Sequence, residues 1–193
     1  MDDTLRAALA AAAELERLGV RWFLGGSLAS SIHGVPRATF DADLMADLRP
    51  RHVGPLLESL GEEWYADETA IREALECRSS FNLIHLETAM KVDVFIPKLR
   101  SFDAGEFSRS QTIDLGDDAP VVARVCCAED IVCAKLEWYR LGGEDSERQW
   151  SDILGVLRLN GASLDQELLR SNGAELGVSD LLEKALGEAA HET

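Results

Sequence analysis

Gly25-Gly26-Ser27-Leu28-Ala29-Ser30-Ser31-Ile32-His33-Gly34-Val35-Pro36-Arg37-Ala38-Thr39-Phe40-Asp41-Ala42-Asp43-Leu44 is the stretch on which the fold turns. Its first three residues make a glycine turn behind the apolar run at residues 20–24, and that turn opens a helix ended by Gly34 and Pro36. Residues 40–48 then alternate as a strand. A period of two puts Phe40, Ala42 and Leu44 on one face and both Asp41 and Asp43 on the other, about 6.6 Å apart along the chain. The same grammar returns in Val92-Asp93-Val94-Phe95-Ile96, where Asp93 points away from the apolar face.

Aspartate is depleted from strands, and burying one such charge unpaired costs several kcal/mol. Three of them on a compact sheet call for a cation. Mg²⁺, or Mn²⁺, takes oxygen ligands, commonly one or two carboxylates together with substrate phosphates. The alternative is a solvated sheet face that the aspartates merely decorate. Gly25, Gly26 and Ser27 supply a complementary half: a glycine turn at a helix start presents backbone N–H groups at the positive end of the helix dipole, with the Ser27 hydroxyl as a further donor. Read by itself, the same turn serves simply to reverse the chain.

Outward from this stretch, residues 5–18 carry one apolar helical face and Gly19 stops it. Arg49-Pro50 opens a helix to residue 60, a short helix covers 71–77, and residues 81–86 and 91–96 form a hairpin. Residues 97–120 look irregular and polar, anchored by Phe102 and Phe107, and 121–125 is the last strand. Helices follow at 129–141, 146–159, 163–170 and 179–190, with Ser146/Gln149 and Ser163/Gln166 as capping boxes. The expected architecture is α/β (α+β): a small mixed sheet flanked by helices over residues 1–126, then a helical region, 127–193, packed on it.

The chain has 193 residues, 46% of them hydrophobic, enough for one substantial core. Nineteen Lys and Arg stand against 35 Asp and Glu, a net charge of −16. Such a surface disfavours duplex DNA, whose capture needs positive charge to release counterions. Cys77, Cys126, Cys127 and Cys133 show no zinc spacing and read as reduced thiols of a cytoplasmic protein. The acidic start Met1-Asp2-Asp3 and the lack of a long apolar run predict neither a signal peptide nor a membrane span.

The order of Gly25-Gly26-Ser27, Ala29, His33-Gly34, Arg37-Ala38-Thr39 and Asp41-Ala42-Asp43 resembles the DNA polymerase β-type nucleotidyltransferase superfamily. It is most similar to the bacterial branch that includes the abortive-infection type II toxin nucleotidyltransferases. Lys91-Val92-Asp93-Val94 resembles the strand carrying that family's third carboxylate. Ala128-Glu129-Asp130-Ile131 through Lys135-Leu136, and Arg148-Gln149-Trp150-Ser151-Asp152-Ile153, resemble its later helical segments. Gln149 stands where related toxins often carry an acid. The resemblance implies a nucleotidyltransferase sheet, a Lys135 that contacts nucleotide phosphate, and a toxin-like function with a partner protein.

Four further residues leave choices open. At 100° per residue Lys135 falls in the middle of the face made by Ile131, Val132, Trp138 and Tyr139, so its ammonium either snorkels to water or meets the carboxylate and phosphate cluster. Asp152 falls away from the stripe of Trp150, Ile153, Leu154 and Leu157 and reads as solvated or as a partner for a neighbouring helix. Arg37 pairs with Asp41 or Asp43, or with substrate phosphate. His33 either closes its helix or contacts nucleotide.

The reading these residues support is metal-dependent transfer of a nucleoside monophosphate from a nucleoside triphosphate to an acceptor hydroxyl, releasing pyrophosphate. Asp41, Asp43 and Asp93 hold Mg²⁺ or Mn²⁺, Lys135 joins them in catalysis, and Gly25, Gly26, Ser27, Arg37 and Thr39 bind the nucleotide. The acceptor is an RNA end, a protein side chain or a small molecule. The rival reading is a degenerate module that binds nucleotide or a protein without turnover.

Overall fold

A computed structural model describes residues 3–116 and 119–191, and its chain divides into two compact units. The first comprises Met1–Leu28 with Thr39–Val125, the second Ala29–Ala38 with Cys126–Thr193.

The first unit is built on a sheet of seven strands among the described residues: β1 (Trp22–Leu24), β2 (Asp41–Ala46), β3 (Trp64–Ala66), β4 (Ser80–His85), β5 (Met90–Phe95), β6 (Gln111–Asp114) and β7 (Val122–Val125). Their order is β3-β4-β5-β2-β1-β7-β6. The sheet is mixed: β2 runs parallel to β5 and β1 parallel to β7, while the other neighbouring pairs are antiparallel. Ala42, Leu44, Val92 and Val94, all fully buried, form the apolar side of the central pair. Helix α1 (Asp3–Arg17) packs along β1, β2 and β5 through Ala7, Ala8, Ala11, Ala12 and Leu15. Small residues there let helix and sheet approach closely, and Gly19, at φ +69°, ends the helix in a conformation glycine adopts at little cost.

Helix α2 (Gly26–His33) follows β1 directly, and the division between the units falls inside it. The helix expected after Arg49-Pro50 is a single 3-10 turn, Pro50–His52, running into α3 (Val53–Leu60). Helix α4 (Glu68–Cys77) begins at Asp67, whose carboxylate accepts from the Ala70 N–H.

Two expectations need correction here. Strand β2 begins at Asp41, so Phe40 does not share the face of Ala42 and Leu44; it lies outside the strand and is 81% exposed. The region read as irregular and polar contains helix α5 (Ser101–Arg109) and edge strand β6. Phe102 and Phe107 do anchor it, both buried, and so are two of its acidic residues, Asp103 and Glu106, with Asp103 accepting from the Arg100 guanidinium at 2.8 and 3.0 Å. The ring of Phe107 meets Phe23 edge-on at 5.0 Å, and the Arg21 guanidinium lies 4.9 Å above it. Edge strand β3, three residues long, was too short to register as a periodic pattern.

The second unit holds the rest of α2 and four helices, α6 (Ala128–Leu141), α7 (Glu147–Asn160), α8 (Gln166–Glu175) and α9 (Ser179–His191). Ile131, Leu136, Ile153, Val156, Leu169 and Leu182 are its buried centre. Ser146 caps α7, accepting from the Gln149 N–H at 3.3 Å, but the expected capping box does not close: the buried Gln149 Oε1 has no hydrogen-bond partner among the described residues. Helix α8 starts later than expected. Asp165 is its cap, accepting from Glu167 and Leu168, while the Ser163 hydroxyl donates back to Asn160. A carboxylate that takes two N–H groups outcompetes a hydroxyl for the helix start. All four cysteines are thiols outside any disulfide. Among the described residues no helix is long and apolar enough to cross a membrane.

Replacing Phe107 by alanine removes the ring that Phe23 and Arg21 share and should cost about 3–4 kcal/mol. Urea titration should show a lower midpoint with an unchanged slope; an unaltered midpoint would mean that α5 adds nothing to the sheet.

Candidate active site

The register of β2 against β5 assembles the site. Asp43 stands opposite Asp93 and Asp41 opposite Lys91 on the parallel neighbour. Matched positions on adjacent strands point the same way, about 4.8 Å apart, and positions two apart on one strand do so again. Asp41, Asp43, Asp93 and Lys91 therefore share one face, all of them half-buried. Asn82, opposite Asp93 on β4, extends that row.

Each carboxylate is engaged. Thr39 is 4% exposed, and its hydroxyl lies 3.1 Å from both Asp41 Oδ1 and the Asp41 carbonyl, bracing the entry to β2. Asp43 Oδ2 accepts from the Ser27 N–H at 3.3 Å, in the first turn of α2, where the helix dipole favours an anion. Asp93 Oδ2 accepts from Lys91 Nζ at 2.7 Å. That hydrogen bond holds the Lys91 pKa above its ordinary value against the opposing cost of burial, with the charges of Asp93, Asp41 and Asp43 adding to the effect.

The glycine turn has a specific geometric duty. The Gly25 N–H donates to the Asp43 carbonyl at 2.9 Å, which ties the turn to β2. Gly26 sits at φ +52°, and a Cβ there would lie 1.7 Å from Asp43 Oδ2. Only glycine allows the carboxylate to reach the helix start. Gly25, Gly26 and Ser27 thus meet Asp43 in this structure.

An oxygen-only donor set of three carboxylates, with an ammonium already drawn to it, suits a hard divalent cation. As the side chains stand, no three Asp, Glu, His or Cys residues among those described converge on one point. Asp43 is turned to Ser27 and Asp93 to Lys91, so gathering the carboxylates around an ion requires side-chain rotation.

The second unit carries its own charge cluster. Asp152 receives Arg37 in a two-point fork, Nε to Oδ1 at 2.8 Å and Nη2 to Oδ2 at 2.7 Å, and also Lys135 Nζ at 2.9 Å. The Lys135 and Asp152 side chains are each only 8% exposed. Burial alone would push the Asp152 carboxyl up, yet the hydrogen bonds and charges of Arg37 and Lys135 hold it below its ordinary value. The cluster decides between the alternatives left open: Arg37 takes Asp152, a partner the sequence did not suggest; Lys135 meets Asp152 and does not snorkel to water; and Asp152 is the partner for a neighbouring helix, since α6 and α7 pack so as to bring it to Lys135. His33 has a structural place, its Nε2 2.7 Å from the Cys126 carbonyl while Asn160 donates to its own carbonyl at 2.6 Å.

Lys91 is the site residue that sequence reasoning passed over. Its signal lay in the strand period: two residues before Asp93, it had to share that face.

Two solved structures align along nearly their whole length. The antibiotic-resistance factor ANT(2'')-Ia matches at 16% identity with a TM-score of 0.54, covering 100% of both chains. A nucleotidyltransferase-like antigenic protein from Paracoccidioides brasiliensis matches at 16% identity and 0.55, covering 96% of this chain and 93% of its own. This is a nucleotidyltransferase-type fold. No protein-family model matches the chain, and no curated protein shows significant similarity to it. At such identities the likeness speaks for the nucleotidyltransferase-type architecture alone, so the chemistry has to be argued from the carboxylate face.

Asp152→Asn should leave Arg37 and Lys135 facing a neutral amide and cost about 3 kcal/mol at neutral pH. A depressed carboxyl lends stability that is complete above its ordinary value of 3.8 and drains away as the pH falls through the lower folded value. The gap between wild type and variant should therefore be constant from pH 5 to 7, taking about one unit above the ordinary value as the margin, and close in stronger acid. Denaturation series at several pH values check it, and a gap that widens in acid would contradict the pairing.

Proposed function

We propose that the chain transfers a nucleoside monophosphate from a nucleoside triphosphate to an acceptor hydroxyl, with release of pyrophosphate. One observation carries the reading: three strand carboxylates share a face, two of them in register on adjacent parallel strands, beside a glycine turn that opens a helix. The fold shared with ANT(2'')-Ia supports it. Asp41 and Asp43 would hold Mg²⁺ or Mn²⁺ on the triphosphate and Asp93 a second ion. Such ions, when bound, offset the charge that builds on the phosphoryl oxygens and the leaving group.

The chain's own residues do the rest. Gly25, Gly26 and Ser27 offer the start of α2 to the phosphates, and Thr39 keeps Asp41 in place. Asp93 takes the proton of the acceptor hydroxyl as its oxygen bonds to the α-phosphorus, while the bond to the β-phosphate oxygen breaks and pyrophosphate leaves with its electron pair. The first unit alone supplies these groups.

Asp43→Asn and Asp93→Asn should each lower transfer from labelled nucleoside triphosphate by 100-fold or more, about 3 kcal/mol of barrier. An RNA end, a protein and small-molecule hydroxyls serve as trial acceptors, with pyrophosphate release as the readout. Triphosphate binding without pyrophosphate release from any acceptor would favour the non-catalytic module instead. The resemblance also assigns Lys135 to phosphate, and the residues offer Arg37 the same part; both are proposals. If Lys135 meets phosphate, Lys135→Met should weaken triphosphate binding roughly tenfold or more; if it serves Asp152 alone, binding should hold while folding stability falls.

A further inference from the structure

Lys91 has no part in the chemistry proposed above, yet it lies among the groups that would perform it. It stands opposite Asp41 in the β2–β5 register and shares the face of Asp43 and Asp93. Its ammonium is 2.7 Å from Asp93 Oδ2. Strand β5 is flanked by β2 and β4, so the side chain has only the two sheet faces available, and alternation assigns it to the acidic one. The Lys91 side chain is 42% exposed where that of Asp93 is 14% exposed. A lysine with open solvent beside it has nonetheless turned its charge inward.

We infer that Lys91 is a built-in counter-cation of the metal-free protein, holding the carboxylate face together until a divalent ion displaces it. This rests on the reading of that face as a metal site. Three carboxylates on one face repel one another, and a single ammonium offsets part of that repulsion. An ammonium is a compact point charge on a flexible stem and imposes no coordination geometry. It can occupy the face without gathering all three carboxylates, which is the arrangement seen: Asp93 is drawn to Lys91 while Asp43 remains on Ser27. A divalent ion carries twice the charge and demands several oxygens at once. Its arrival repels the ammonium, whose half-exposed side chain gives it a route to water, and frees Asp93 to turn. Metal affinity is thereby set lower than three bare carboxylates would give, and the metal-free chain is spared the repulsion.

The test compares wild type with Lys91→Met, Lys91→Gln and Lys91→Arg, measuring Mn²⁺ binding calorimetrically and melting temperature in EDTA and in saturating Mn²⁺. Without the ammonium, the Met and Gln variants should bind Mn²⁺ roughly three- to tenfold more tightly. They should melt below wild type in EDTA, and the gap should close in Mn²⁺. Lys91→Arg, which keeps the charge, should behave as wild type. A variant that folds only once Mn²⁺ is added is the same result at its extreme. Equal or weaker Mn²⁺ binding by the neutral variants, with wild type binding normally, would overturn the role of Lys91 and leave the metal site standing. No Mn²⁺ binding by any of the four, with nucleoside triphosphate present, would overturn the metal site and this inference with it.

Discussion

Three carboxylates on one face of a small sheet repel one another, and that repulsion governs how the first unit is arranged around them. One is braced by a buried threonine, one reaches the start of a helix past a glycine that no other residue could replace, and one takes a lysine. Each device offsets charge by a different means: a neutral hydrogen bond, a helix dipole and a full cation. The opposite side of the same strands is fully apolar, with Ala42, Leu44, Val92 and Val94 buried. The apolar side anchors the strands, so the charged side is presented on a rigid support, which is what a constellation of reacting groups requires.

The second unit solves a related problem in another way. Lys135 lies in the middle of an apolar helical face, where an ammonium without an anion would be costly. Asp152 supplies the anion from the neighbouring helix, and Arg37 completes a group with two positive charges around one carboxylate. Such a cluster is stable only while intact, because losing the carboxylate strands both cations. That makes Asp152 a structural residue of its unit, whatever further part Lys135 plays.

The alternation of the strands, the helix starts and stops, and the resemblance to the nucleotidyltransferase superfamily were all written locally, and the architecture follows them closely. The solved structures of similar shape share that architecture at 16% identity. Local reading failed where a segment was held by distant contacts. Helix α5 carries few apolar residues, yet Phe107 rests on Phe23 from another element. Phe40 alternates correctly with Ala42 and Leu44 but has no neighbour to cover it.

By itself the sequence determined which residues could share a face: Asp41 with Asp43, Lys91 with Asp93, and Lys135 among Ile131 and Val132. Those relations repeat every two or 3.6 residues along one element, and they hold wherever that element lies. Only the tertiary structure decided which faces meet. The β2–β5 register set Asp43 beside Asp93, and it brought Lys91 into the acidic row. The packing of α6 on α7 gave Lys135 its anion, and Arg37 went to Asp152, 115 residues further along the chain. Pairing between elements depends on register and close packing across many residues, and a charge goes to the partner that the assembled backbone brings within reach, which proximity along the chain does not specify.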